Sequence, residues 1–160
     1  MDERLLTPGL LFRSYGVIGM IQAAAGFFSY FSILYSNGWV WGQKLAPTDP
    51  VYLKAVTAFF VSIIICQIAN VMVCRTQRES LFKKGILTNK FVLLGIASEL
   101  LLVELITNNE IARIIFGTHS LTLWESLLAL PFAILIVAEE EWRKWGLRNC
   151  NPFAIKYLNW

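Results

Sequence analysis

Three polar side chains lie within long apolar stretches of this sequence and have the chemistry to bind a cation or a proton. Gln67 and Asn70 lie in 55–74, a run of twenty residues without a charge, and Glu99 lies near the middle of the apolar run 91–106. Amide and carboxylate oxygens are ligands that hard cations such as sodium and calcium prefer. A carboxyl group held away from water can instead take up and release a proton. The three residues therefore predict a cation or proton site.

The same residues also have a purely structural interpretation. Unpaired amides are costly in lipid, so polar side chains commonly form hydrogen bonds between membrane helices. Gln22, in the first apolar stretch, is predicted to make such a bond. Glu104, five positions after Glu99, is expected to reach the membrane surface or to line an exit. Residue types and spacing alone leave the ion site and the interhelical latch both open.

Four apolar stretches must position these side chains, and each is long enough to cross a bilayer as a helix. Hydrophobic residues make up 56% of the chain and charged residues 16%, whereas soluble domains carry about 25% charged residues. We therefore predict an all-α integral membrane protein, a bundle of four transmembrane helices in a lipid bilayer. Pro131 is expected to kink the fourth helix. The predicted spans are about 14–35, 53–74, 90–107 and 121–139.

The basic residues are concentrated on one side of these spans. Eleven of the fourteen Lys and Arg residues precede the first span, lie between the second and third, or follow the fourth. The positive-inside rule then predicts that both termini are cytosolic, including a tail at 148–160. Glu139 with Arg143, and Glu140 with Lys144, are spaced for ion pairs on the surface of a helix.

Several classes of function find no support in the sequence. The net charge of +3 is too small to indicate a nucleic-acid partner. The chain has no Gly-rich phosphate loop, no nucleophile beside a base, and no metal motif. Its three cysteines are not spaced for pairing, so free thiols are predicted. The residues therefore predict no catalysis, no cofactor and no catalytic site in this chain by itself.

Several segments resemble the carboxyl-terminal membrane domain of P-type cation-transporting ATPases. Within that family the resemblance is strongest to the sodium/potassium and proton/potassium pump alpha subunits. It covers about residues 2–144, and the predicted domain is 1–147. The four spans correspond to the last four membrane helices of the family. The segments that carry the resemblance are 14–31, 57–70, 74–90, Gly95 with Glu99, Pro131 with Phe132, and 140–144.

The resemblance implies roles for the same three polar residues. Gln67, Asn70 and Glu99 become peripheral cation ligands, because the corresponding helices contribute to the ion sites of the family. Gln67 matches a glutamine of sodium/potassium pumps, and Glu99 matches a glutamate that these pumps use for a third sodium ion. Asn70 stands where they carry an aspartate, so this chain has one negative charge fewer at that position.

The resemblance also implies a function and a set of partners. The chain is expected to be part of an ATP-driven pump for monovalent cations in the plasma membrane, and to begin partway through that pump. Its helices would brace the transport helices without catalysis of their own. ATP and magnesium would bind upstream domains, which together with the remaining pump helices are the expected partners. A beta subunit is not expected, because the loop at 37–52 is short.

Two alternatives belong to other functional classes. The chain is either a free-standing four-span accessory protein that regulates a full-length pump, or a small cation or proton carrier that uses Glu99. An accessory protein would co-purify with a complete pump. A carrier would show pH-dependent flux that the substitution Glu99→Gln abolishes.

Overall fold

The computed structural model describes residues 16–74 and 90–149 of the chain. A π-helical turn at 16–18 leads into the first α-helix, and no strand occurs in the described residues, as the all-α prediction requires. We label the helices α1 to α6 in chain order. They are α1 Gly19–Ser36, α2 Pro50–Cys74, α3 Lys90–Asn108, α4 Glu110–Phe116, α5 Leu123–Ser126 and α6 Leu130–Arg148, with a 3-10 turn at Leu127–Ala129 between the last two.

Three helical segments are long and apolar enough to cross a membrane, and they match the first three predicted spans. They are Gly16–Ser36, Pro50–Cys74 and Lys90–Asn108, with 21, 25 and 19 residues. At about 1.5 Å per residue the three segments are about 28 to 38 Å long, which is comparable to a hydrocarbon core of about 30 Å. Many of the basic residues from which the orientation was predicted lie in the loop at 75–89 and the tail at 150–160. Both segments lie outside the described residues.

The predicted fourth span at 121–139 is not one continuous helix. It is divided into α5, the 3-10 turn and α6, and α6 begins directly before Pro131. Proline has no N–H to donate to the carbonyl oxygen of Leu127, and the N–H of Leu130 bonds to that oxygen instead. The irregularity thus lies where the proline predicted a kink. Because α6 also continues through a charged segment, it is not among the three candidate spans, and the four-span bundle stays a prediction.

Helices α1 and α2 pack tightly against each other in antiparallel directions. A Cβ atom added to Gly26 would lie 2.8 Å from the ring of Phe59, so the glycine is needed for this approach. The buried hydroxyl of Ser62 donates to that of Ser29 at 2.6 Å. Small residues that permit close backbone contact and a polar bond between helices are typical of membrane helix packing.

Two apolar clusters cover the opposite ends of this pair. The first joins α6 to α1 and α2, and the second lies where α1 ends and α2 begins. The members are Ile18, Ala25, Cys66, Val73 and Ile136 in the first, and Ile33, Leu34, Ala55 and Ala58 in the second.

The third candidate span packs differently. In α3 the buried residues are Ile106 and Thr107, both in its last turn. The hydroxyl of Thr118 donates to the carbonyl oxygen of Ile106 at 2.6 Å, and the backbone N–H of His119 donates to the hydroxyl of Thr57 at 2.9 Å. The end of α3 is therefore attached to α2, while the rest of the helix presents most of its surface outwards.

Candidate functional site

Gln67, in α2, is held by a side chain from α1. The amide nitrogen of Gln22 donates to the side-chain oxygen of Gln67 at 2.8 Å. This is the interhelical hydrogen bond predicted for Gln22, and its partner is one of the candidate ligands. An amide oxygen has two lone pairs, so the Gln67 oxygen keeps one acceptor position after this bond is made.

Asn70 lies three residues further along α2, on the same face of the helix as Gln67. Its side-chain oxygen accepts a hydrogen bond from the thiol of Cys74 at 3.3 Å. That bond is local to one turn of α2 and does not link Asn70 to another helix. Both amide oxygens thus belong to one helix face, but in the described residues no hydrogen bond joins them to each other.

Glu99 is half-buried in the middle of α3. Its carboxylate forms no hydrogen bond with Gln67 or Asn70. Within residues 16–74 and 90–149 it makes no other hydrogen bond or ion pair either. The physical reason is the packing of α3, which is buried at its last turn, two turns beyond Glu99. The assignment of all three residues as cation ligands therefore stays a prediction.

Glu104 lies on the exposed surface of α3 near the end of the helix, and its place at the membrane surface or at an exit stays a prediction. Its carboxylate is exposed and accepts a hydrogen bond from the amide of Asn108 at 2.6 Å, one turn further along the chain. Neither Glu104 nor Asn108 forms a hydrogen bond with Gln22 or Gln67. Glu104 is therefore occupied locally, at the end of α3.

The prediction of surface ion pairs in α6 is wrong about their environment. Arg143 donates to both carboxylate oxygens of Glu140, from Nε at 3.0 Å and from Nη2 at 2.7 Å, and Lys144 lies 3.7 Å from the same carboxylate. Glu140 is 1% exposed and Lys144 0%. The spacing was correct for Glu140 and Lys144, but α6 packs this face against α2 and excludes water from it. The sequence signals this buried group of Glu140, Arg143 and Lys144 only through three consecutive glutamates, 139–141, that directly follow an apolar segment.

Lys144 connects this cluster to the helix that carries the candidate ligands. Its ammonium group donates a hydrogen bond to the carbonyl oxygen of Val73 at 2.8 Å, in the last turn of α2. Carbonyl groups at a helix C-terminus lack intrahelical partners and attract cations. Burial lowers the pKa of Lys144, while the carboxylate of Glu140 favours its charged form. Asn70 lies three residues before Val73, so this contact is about one helical turn from the nearer candidate ligand.

The described part of the chain holds no ready-made metal centre of the His, Cys and carboxylate type. No group of three or more such side chains lies together in residues 16–74 and 90–149. Cys66 and Cys74 are free thiols, as predicted, and Cys150 lies outside the described residues. Of the three predicted ligands, Gln67 and Asn70 share one face of α2, and Glu99 lies on α3 without a hydrogen bond to either of them in the described residues.

Comparison with known proteins identifies the family. The family described as "Cation transporting ATPase, C-terminus" matches residues 1–146. The chain belongs to this family. The alpha-4 subunit of the sodium/potassium-transporting ATPase of Rattus norvegicus is 32% identical over 171 residues, which cover 92% of this chain and 16% of that subunit. The alpha subunit of the same transporter from Tetronarce californica is 32% identical over 174 residues, which cover 94% of this chain and 17% of that subunit.

These comparisons confirm the resemblance to sodium/potassium pump alpha subunits. They also confirm that the chain corresponds to the carboxyl-terminal membrane region of a cation-transporting P-type ATPase. The chain spans only 16% to 17% of the length of the curated relatives it matches.

Proposed function

We propose that this chain is the carboxyl-terminal membrane portion of an ATP-driven, sodium/potassium-like pump for monovalent cations. Its family membership and its three candidate membrane spans support this role. In this proposal the chain lies in the plasma membrane with both termini in the cytosol. ATP and magnesium bind other domains of the pump, the chain is not catalytic alone, and no beta subunit docks on the loop at 37–52.

The first proposed task is to brace the transport helices. The contact between Gly26 and Phe59 and the buried hydrogen bond from Ser62 to Ser29 make α1 and α2 a closely packed pair. The bond from Lys144 to the carbonyl of Val73 attaches α6 to the same pair. Close-packed interiors transmit strain rather than absorb it. Such a unit gives the moving helices of a pump a stiff surface to work against.

The second proposed task is to supply peripheral ion ligands. The hydrogen bond between Gln22 and Gln67, at 2.8 Å, carries this proposal, because it orients the Gln67 oxygen and leaves one of its lone pairs available. Asn70 adds a second neutral oxygen on the same helix face. Divalent cations such as calcium are usually held by more than one carboxylate. Two amides with the single carboxylate of Glu99 therefore favour a monovalent cation.

The exposed surface of α3 supports the proposal that other pump helices pack against this chain. The middle of α3 has few buried residues, and the carboxylate of Glu99 makes no hydrogen bond or ion pair within the described ranges 16–74 and 90–149. A carboxylate at bilayer depth is stable there only with a partner or a proton. In the proposal, helices of the remaining pump pack on α3 and complete the surroundings of Glu99.

A chimaeric pump tests the ligand proposal. Residues 1–146 replace the matched segment of the rat alpha-4 subunit, and sodium-dependent phosphorylation by ATP is measured in membranes. Gln67→Ala should raise the sodium concentration for half-maximal phosphorylation several-fold, and Gln22→Ala should raise it less. Gln43→Ala is the matched control, because Gln43 lies in the exposed loop between α1 and α2. An unchanged sodium dependence in an active Gln67→Ala chimaera would remove Gln67 from the site.

The two alternatives make different predictions. For an accessory protein, the exposed surface of α3 is the place where a full-length pump would bind. For a carrier, Glu99 would have to act without a hydrogen bond to Gln67 or Asn70, which the structure does not bring to it. Proton or cation flux in liposomes that Glu99→Gln abolishes would favour the carrier over the pump.

A further inference from the structure

Two adjoining cavities lie at the end of the α1–α2 pair that is remote from Lys144. The larger, of about 460 Å³, has aromatic walls formed by Tyr30, Phe31, Trp39, Trp41 and Tyr52. The smaller, of about 270 Å³, also has Tyr30 and Tyr52 in its wall. Because Tyr30 and Tyr52 line both spaces, the two cavities are direct neighbours. The larger opens on the loop after α1, and the smaller extends along the membrane-crossing part of the helices.

The aromatic walls are organised by contacts within the loop. The indole N–H of Trp39 donates to the carbonyl oxygen of Gln43 at 2.9 Å, so its polar atom is already satisfied. The rings of Trp39 and Trp41 meet edge to face, with centroids 5.8 Å apart and planes at 71°. The ring of Phe31 lies 6.1 Å from that of Trp41. The rings thus hold one another in place.

The chemistry of the larger cavity selects its ligand. Among the described residues that line it, none carries a charge. A ligand with a net negative charge would find no cationic partner there, and a small hydrated cation would find no carboxylate. Aromatic faces do attract weakly hydrated cations, above all quaternary ammonium groups. The cavity therefore suits a trimethylammonium group.

The smaller cavity suits the rest of a lipid molecule. Apart from the two shared tyrosines, its wall consists of Phe27, Val56 and Phe59, which are all apolar. Phe27 and Phe59 contact each other edge to face, with ring centroids 5.3 Å apart. Both rings belong to candidate membrane spans, so this space opens where acyl chains are the surrounding solvent.

We propose that the two cavities together bind a choline phospholipid. The trimethylammonium group lies among the rings of the larger cavity, and an acyl chain follows the smaller one. The site requires only that α1 and α2 cross a membrane, and it is independent of ion transport. Failure of the pump proposal would therefore leave it standing, and its own failure would leave the pump proposal standing.

Native mass spectrometry of the purified full chain in detergent tests this site. The protein is mixed with equal amounts of phosphatidylcholine and phosphatidylethanolamine that carry the same acyl chains. Phosphatidylcholine adducts should predominate, because the ammonium group of ethanolamine is strongly hydrated. Trp41→Ala should reduce the preference roughly threefold or more. Trp124→Ala is the matched control, since Trp124 is 78% exposed against 74% for Trp41 and does not line the cavity.

A second variant separates lipid binding from ring contacts. Val56→Trp fills the smaller cavity and replaces none of the aromatic residues that line the larger one, so it should reduce phosphatidylcholine adducts as strongly as Trp41→Ala. Gel filtration of each variant shows whether the protein remains monodisperse. Equal binding of the two lipids by the unmodified chain, or an equal effect of Trp124→Ala, would overturn the proposal. Free phosphocholine, which has no acyl chain for the smaller cavity, should bind much more weakly than the lipid. Phosphocholine binding as tight as that of phosphatidylcholine would overturn the proposal, because the ligand would then be a soluble quaternary ammonium compound.

Discussion

The ammonium group of Lys144 lies 2.8 Å from the carbonyl oxygen of Val73 and so joins α6 to the last turn of α2. Lys144 is completely buried, and its carboxylate partner Glu140 also accepts two hydrogen bonds from Arg143. A cation at a helix C-terminus satisfies carbonyl groups that the helix itself leaves free. This contact connects the charged end of α6 to the helix that carries both candidate amide ligands.

Removal of the Lys144 ammonium group should destabilise the fold. Lys144→Met keeps the length of the side chain but leaves the Val73 carbonyl without this donor, at an expected cost of about 1–3 kcal/mol. Unfolding of the purified chain in mixed micelles by SDS measures the change. Lys44→Met is the control, because Lys44 is exposed in the loop after α1. Equal stability of the two variants would mean that the buried contact contributes nothing.

The stability contributed by Lys144 should rise with pH. Burial lowers the pKa of Lys144 in the folded state, so the unfolded chain binds more protons between the folded pKa and the unfolded value of about 10.4. The free energy of unfolding therefore rises across that interval, and the contribution is lost as pH falls through the folded pKa. The measurement is the difference between the unmodified chain and Lys144→Met, followed as the pH is raised towards about 10. A difference that does not change with pH would contradict this expectation.

The close approach of α1 to α2 should not tolerate a larger residue at Gly26. In Gly26→Ala the new Cβ atom would lie 2.8 Å from the Phe59 ring, and we expect a loss of about 1–3 kcal/mol. Gly95→Ala is the matched control, because a Cβ atom added at Gly95 meets nothing within 4 Å. Phe59→Leu should restore part of the loss in the double variant. If both alanine variants unfold alike, the contact with Phe59 does not limit the packing.

The bond between Gln22 and Gln67 should be measurable as an energetic coupling. A double-mutant cycle with Gln22→Leu and Gln67→Leu should give a coupling of about 0.6 kcal/mol, the average for hydrogen bonds between membrane helices. Unfolding in mixed micelles again provides the free energies. Strictly additive effects of the two substitutions would show that the bond observed at 2.8 Å does not orient Gln67.

Part of this structure could be predicted from residue patterns because the membrane restricts the choices. Long uncharged runs can cross a bilayer only as helices, so the first three spans were predictable to within a few residues. Gln22, an amide within an apolar run, predicted an interhelical hydrogen bond. Its partner Gln67 could not be predicted, since the rotation of α2 against α1 depends on contacts such as that of Gly26 with Phe59.

The remaining differences have specific causes. The break before Pro131 divides the fourth predicted span, because Leu130 rather than a continuing helix bonds to the carbonyl of Leu127. The burial of Glu140 could not be read from an i,i+4 spacing, which is the same on a solvated face and on a packed one. The surroundings of Glu99 depend on what covers α3, and the chain's own described residues bury that helix only at its last turn.

The central claim is that this chain functions as the carboxyl-terminal part of a larger cation pump. An antibody raised against the tail at 148–160 tests it most directly, by immunoblot and affinity purification from native membranes. We predict a single band far above 18.2 kDa, with peptides from an ATP-binding and phosphorylated domain in the same polypeptide. A band at 18.2 kDa would contradict the claim. Co-purification of a separate full-length pump with that band would then identify the chain as an accessory protein.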